Sequence, residues 1–170
     1  MMLDRRKQHK NFSEHEERRK KDRRQHHRLP VVEGLVEPIN LRYALPGEEK
    51  SVAQPAVMTN LSAGGMLIVT FMEPPHSKRF EMDLNIPGLH HVPIEGQILR
   101  VHSKGEVHTV AIAFVKISDK DKHHISRMAQ DYTDCETRIS LNLPEACVPT
   151  CQCHPLCTKI QKAPHWPPRA

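Results

Sequence analysis

Phe80-Glu81-Met82-Asp83-Leu84-Asn85-Ile86-Pro87-Gly88 alternates apolar and polar residues without a break and stops at a turn dipeptide. Successive side chains on a strand point to opposite faces, so this pattern predicts a strand with one buried and one solvated face. Working outward, two longer strands follow, over about Val92–Val101 and Val107–Ile117, joined through Lys104-Gly105. Upstream, Met66–Phe71 is almost wholly apolar and ends before Pro74-Pro75, and about Pro55–Thr59 forms another strand. Further back, Ile39, Leu41 and Tyr43 alternate with Asn40 and Arg42 until Pro46-Gly47. Six short strands at this spacing predict a mainly β chain, a small six-stranded antiparallel β-barrel. One helix closes it: Ser118 and Asp121 form a capping pair, and Ile125, Met128, Ala129 and Tyr132 recur on one face.

The remaining length lies outside this core. The chain has 170 residues, 38% hydrophobic and 4% aromatic, with 14 prolines, which suits one domain of roughly 90–110 residues with tails. The net charge of +5 is unevenly spread, because residues 1–28 hold eleven Lys/Arg against five Asp/Glu. That segment has too few apolar residues to offset its ordering entropy and is expected to be flexible. The expected division is a basic arm over 1–22, the barrel domain over 23–134, and a Pro/Cys-rich tail over 135–170. Met1 is followed by charge rather than by an apolar signal segment, and no apolar run reaches membrane-spanning length. With five cysteines, an odd number, a cytoplasmic, thiol-reducing location is expected.

Two motifs carry chemistry. Arg23-Arg24-Gln25-His26-His27-Arg28 enters the first strand with two arginines four residues apart. Each planar guanidinium fork can grip a phosphate bidentately or stack on a base, so a pair suits a compact ligand with two phosphates and purines. Arg19 and Arg23 offer the same spacing one step upstream. The second motif, Asn60-Leu61-Ser62-Ala63-Gly64-Gly65, lies between two strands. Its amide and hydroxyl can meet a purine edge, and its glycines allow close backbone approach. A turn whose Asn and Ser bond only their own backbone has the same sequence.

The combination of Arg-Arg-x-x-x-Arg with Asn-x-Ser-x-x-Gly some thirty residues later resembles the PilZ domain family. The resemblance runs from about Arg23 to Tyr132 and takes in Gly-Gln-Ile-Leu-Arg-Val (96–101) and Val-Ala-Ile-Ala-Phe-Val-Lys-Ile-Ser (110–118). It implies a cyclic-di-GMP receptor of bacterial second-messenger signalling, in which the arginines hold phosphates and guanine faces and the turn holds a guanine edge. On this chain the implied ligand contacts are Arg23, Arg24, Arg28, Asn60, Ser62 and Gly65. Because the charges of the N-terminal arm repel one another until phosphates neutralise them, a ligand is expected to fold the arm across the barrel and so to signal to a protein partner. Ala111 stands where many members have glycine.

No nucleophile signature or phosphate-binding Gly-rich loop is present, so no enzyme is expected. His26 and His27 are expected to face solvent, with ligand contact as the alternative reading. In the tail, Cys147, Cys151, Cys153 and Cys157 form C-x3-C-x-C-x3-C, a candidate zinc-ligand set although the spacing differs from paired C-x2-C modules. Two other readings remain open: a nucleic-acid-binding protein using the basic arm, and a zinc- or redox-responsive protein using the tail. The shortage of aromatic residues argues against single-strand stacking.

Overall fold

A computed structural model describes residues 25–30, 39–44, 51–74 and 79–163. The decisive stretch is a strand over Arg79–Ile86 in which Phe80, Met82, Leu84 and Ile86 are all buried. All six expected strands are present, and a three-residue strand precedes them. In chain order they are β1 (Arg28–Pro30), β2 (Ile39–Ala44), β3 (Ser51–Ser62), β4 (Gly65–Thr70), β5 (Arg79–Ile86), β6 (Leu89–Lys104) and β7 (Val107–Lys116).

Every pairing is antiparallel, along the path β1-β3-β4-β7-β6-β5. β2 pairs with the first half of β3 and runs beside β5. The ladder is not closed between β2 and β5 among the described residues, so the expected barrel is a strongly curled sheet with a seam. The all-apolar stretch in β4 still alternates: Met66, Ile68 and Thr70 point inward, and Gly65, Leu67 and Val69 lie half-buried on the outer face.

Helix α1 runs over Asp119–Ser140 and lies against the β1 and β3 end of the sheet. Its start follows the expected cap. The Asp121 amide donates to Ser118 Oγ at 3.1 Å, and that hydroxyl donates to Asp121 Oδ2 at 2.5 Å. Ile125, Met128 and Ala129 are fully buried, and Tyr132 packs at the margin of the core. The helix continues two turns past Tyr132, beyond the point where the apolar stripe is readable.

The stretch expected as a loose tail folds back on this helix. Ala146, Cys153, His154 and Leu156 are buried, and Pro155 packs over Gly88, the turn between β5 and β6. Lys159 Nζ stands 3.8 Å from the centroid of the Tyr132 ring, and the Gln152 amide donates to Asp131 Oδ2 at 2.6 Å. The side chains of Cys153 and Leu156 join this segment to the main core.

Candidate functional site

Two of the sheet's register shifts, in β3 and in β6, set which side chains reach the outer face beside the β3–β4 turn. In β3, Ala56 and Met58 point into the core, and continued alternation would carry residue 60 inward as well. The register instead slips between Met58 and Asn60, leaving Thr59 as the extra residue, with its Oγ1 donating to Leu67 O at 3.2 Å. A one-residue slip reverses which side chains face which way. Leu61 and Ala63 therefore enter the core, and Asn60 and Ser62 come to the outer face.

β6 repeats the device. Val92, Ile94 and Gly96 point inward, the register slips between Ile98 and Arg100, and Arg100 then pairs with Ala111 on the outer side. Leu99, the extra residue, is 65% exposed.

Asn60-Leu61-Ser62-Ala63-Gly64-Gly65 is thus less of a loop than its sequence suggests. Asn60, Leu61 and Ser62 end β3, Ala63-Gly64 makes the turn, and Gly65 begins β4. The Ser62 hydroxyl donates to Gly65 O at 3.0 Å, and the Phe114 amide donates to Gly64 O at 3.0 Å, tying the turn to β7. Gly65 is required by packing, since a Cβ there would overlap the Ile112 carbonyl oxygen and stand 3.2 Å from Ala113 Cα.

β1 brings the basic arm to this turn. It pairs along the end of β3 with Arg28 opposite Ser62, Leu29 opposite Leu61 and Pro30 opposite Asn60. Leu29 is 1% exposed and anchors the strand in the core, which leaves Arg28 exposed on the outside.

The result is a groove of about 230 Å³ whose walls include Arg28, Asn60, Ser62, Gly65, His26 and Arg100. Leu67, Ala111 and Ala113 supply a flat apolar stretch beside these polar groups. Four of the six residues singled out in the sequence thus meet in one place; Arg23 and Arg24, like the upstream Arg19, lie outside the described residues.

Arg100 was not found by sequence reasoning. For Arg100 a signal existed, because the inward alternation of Val92, Ile94 and Ile98 breaks where Leu99 follows. His26, expected in solvent, is half-buried at the turn, and nothing local in the sequence foretells that.

The cysteines behave differently. Cys153 is 2% exposed within the hydrophobic core, and burial, with Cys151 and Cys157 nearby, pushes its thiol up to about 12. It is a protonated filler of the core rather than a ligand. Cys147, Cys151 and Cys157 instead line a small space of about 20 Å³ together with Cys135 from α1. Burial raises the thiols of Cys135 and Cys151, so these too favour the protonated form. Burial and the nearby Lys162 lower His154.

Among the described residues, no three His, Cys, Asp or Glu side chains are arranged to hold a metal ion. The expected zinc set of Cys147, Cys151, Cys153 and Cys157 is corrected accordingly: Cys153 lies in the core and does not line the space that the other three share. Among the described residues, no helix is long and apolar enough to cross a membrane.

No curated protein matches the chain. Among solved structures it is similar to the inhibitor of motility of Bacillus subtilis, at 16% identity and a TM-score of 0.46, over 73% of this chain and 54% of that one. It is similar to the PilZ domain with c-di-GMP of YcgR from Escherichia coli, at 16% identity and a TM-score of 0.47, over 72% of this chain and 99% of that one. It is also similar to YcgR from Escherichia coli in complex with c-di-GMP, at 17% identity and a TM-score of 0.49, over 71% and 50%. The chain therefore spans about half the length of the motility inhibitor and of that YcgR structure. The PilZ domain family matches residues 22–131, more than half of the chain and all of the groove. By that match the chain belongs to the PilZ domain family.

Proposed function

We propose that the chain is a cyclic-di-GMP receptor, a binding module rather than an enzyme, whose ligand lies in the groove between β1 and the β3–β4 turn. The observation that carries this reading is the register of β1 on β3, which sets Arg28 opposite Ser62 of the Asn-x-Ser-x-x-Gly turn.

Each group has a role its chemistry can fill. Arg28 is exposed and presents a guanidinium fork to a phosphate. Ser62 donates its hydroxyl proton to Gly65 O, so its oxygen remains able to accept from a guanine N–H. Asn60 brings both a donor and an acceptor to the same edge. Gly65 lets β4 and β7 approach closely enough to form the groove floor, against which Leu67, Ala111 and Ala113 offer a flat apolar surface to a base. Arg100 supplies a second cation from β6. Arg23 and Arg24 complete the clamp from the arm, whose charge repulsion falls when phosphates neutralise it. On this reading the receptor acts in the bacterial cytoplasm, and ligand-driven ordering of residues upstream of Gln25 is the change a protein partner senses.

Calorimetric titration of cyclic-di-GMP tests the reading, with a random oligonucleotide run beside it at two salt concentrations. Arg28→Ala is expected to weaken cyclic-di-GMP by about 30-fold or more, the scale for truncating a charge-assisted contact, and to leave the melting temperature unchanged. Oligonucleotide binding as tight as cyclic-di-GMP binding, with a steeper salt dependence, would sink the proposal in favour of a nucleic-acid arm. Arg24→Ala beside Arg19→Ala decides the register of the upstream arginine: the larger loss is expected for Arg24.

A further inference from the structure

Gly64 is not one of the motif positions that contact ligand on the reading above, yet a side chain there would meet an obstacle. A Cβ built on Gly64 would stand 2.6 Å from His26 Cδ2 and 3.3 Å from His26 Nε2. The imidazole therefore lies against the bare backbone of the turn. Continuing the β1–β3 register past its last pair, Arg28 with Ser62, carries the chain to His26 opposite Gly64. The ladder itself ends at Arg28. At the point where backbone pairing stops, a side-chain contact takes over.

From this geometry we infer that His26 is a positioning residue: its ring, seated on Gly64, holds the root of the basic arm against the turn before ligand arrives. This rests on the reading of the groove as the nucleotide site and adds to it a preorganising lock. Leu29, buried in the core, fixes the arm on one side of Arg28, and His26 on Gly64 fixes it on the other. Arg28 is held between two anchors, so its fork is confined to the groove without itself being buried. Gly64 is glycine because the lock needs a flat seat. The obstacle at Gly64 is the far end of one side chain, whereas that at Gly65 is the backbone of β7. Adding a methyl group at residue 64 would displace His26 and leave the sheet intact.

A double-mutant cycle in the full chain tests this, using His26→Ala, Gly64→Ala and both together. Two readouts are taken: hydrogen exchange of residues 27–29 without ligand, and calorimetric titration of cyclic-di-GMP. Each single substitution is expected to remove exchange protection from the arm root and to weaken cyclic-di-GMP by about fivefold. That is the loss expected if the competent arm conformation drops to roughly a fifth of the population. The double variant is expected to be no worse than either single one, because both break the same contact. His26→Phe, which keeps a flat ring, is expected to restore protection and affinity when residue 64 is glycine, and to fail when it is alanine. Melting temperatures should stay within about 2 °C of the parent chain. Losses that add in the double variant, or unchanged exchange in the single ones, would overturn the lock. If the parent chain does not bind cyclic-di-GMP, the functional reading fails alone, and the exchange data still judge the lock.

Discussion

The β3–β4 turn and the C-terminal segment carry two conspicuous motifs, and the fold treats them in opposite ways. Around the β3–β4 turn, polar residues far apart in sequence converge on the outer face of the sheet, where Arg28, Asn60, Ser62 and Arg100 share one groove. In the C-terminal segment, four cysteines crowded into eleven positions are dispersed: one enters the core, and three line a separate space with a fifth thiol from α1. The difference lies in what holds each backbone. The groove residues sit on strands held in antiparallel ladders, the bulged β3 against β4 and the bulged β6 against β7, so each side chain has an assigned face. The cysteines sit on consecutive short turns, where the Cys151, His154 and Cys157 amides bond to carbonyls three residues earlier. Burial of Cys153 and Leu156 then decides the orientation of that segment. A motif becomes a site where regular structure fixes which way its residues point.

The most severe way to break the contrast is Gly65→Ala. Its Cβ would run into the Ile112 carbonyl, so β4 and β7 must separate at the centre of the sheet. We expect a loss of about 3 kcal/mol or more, read by urea denaturation, and with it the loss of cyclic-di-GMP binding. A stability within experimental error of the parent chain would show that the strands at Gly65 have room to spare. Asn60→Ala is the sharper probe, because it leaves the packing alone. Removing one hydrogen-bonding side chain from the groove is expected to weaken cyclic-di-GMP by about tenfold with no change in melting temperature. If stability falls while affinity holds, Asn60 serves the turn rather than the ligand.

How much of this could be read from the sequence follows the same division. Phe80 to Ile86 revealed its strand and its buried face, and Ile125, Met128 and Ala129 revealed the helix, because each signal is a local period. The outward turn of Asn60 and Ser62 is also written there: the buried positions change from even-numbered Ala56 and Met58 to odd-numbered Leu61 and Ala63. That switch is visible only once Leu61 is known to be inside rather than in a loop. The pairing of β1 with β3, and with it the places of Arg28 and His26, is a long-range contact with no local period to announce it. The packing of residues 141–163 was hidden for the converse reason. Prolines and cysteines without periodicity look like a tail, yet Ala146, Cys153, His154 and Leu156 are buried once a helix is there to receive them.

On the C-terminal side, Cys153→Ser should have the opposite profile to Asn60→Ala. The substitution is nearly isosteric but puts a stronger hydrogen-bonding group into a hydrophobic site, at a cost of roughly 1–3 kcal/mol. Cyclic-di-GMP affinity should not change. Cys147→Ser, at a half-buried position, should cost less. Equal costs for the two would mean that Cys153 is not set apart from the other thiols by the core.

The mildest test titrates the buried thiol rather than replacing it. Folding raises Cys153 from an ordinary 9.0 to about 12, chiefly by burial, and raises Tyr132 from 10.0 to about 12 by burial and the nearby Glu136. Above pH 9 the unfolded chain releases the Cys153 proton while the folded chain keeps it, so the folded state binds more protons and loses stability as the pH rises. The stabilisation is fully present below pH 9 and fades toward pH 12, with Tyr132 joining from about pH 10. One such group can contribute a slope of at most about 1.4 kcal/mol per pH unit. Cys153→Ala cannot titrate at that position, so the stability gap between it and the parent chain should be constant up to pH 9 and narrow above it. Urea denaturation at intervals from pH 7 to pH 11 reads this directly. A gap that stays constant through pH 11 would mean that the Cys153 thiol ionises as readily in the folded chain as in the unfolded one, and that the core does not hold it.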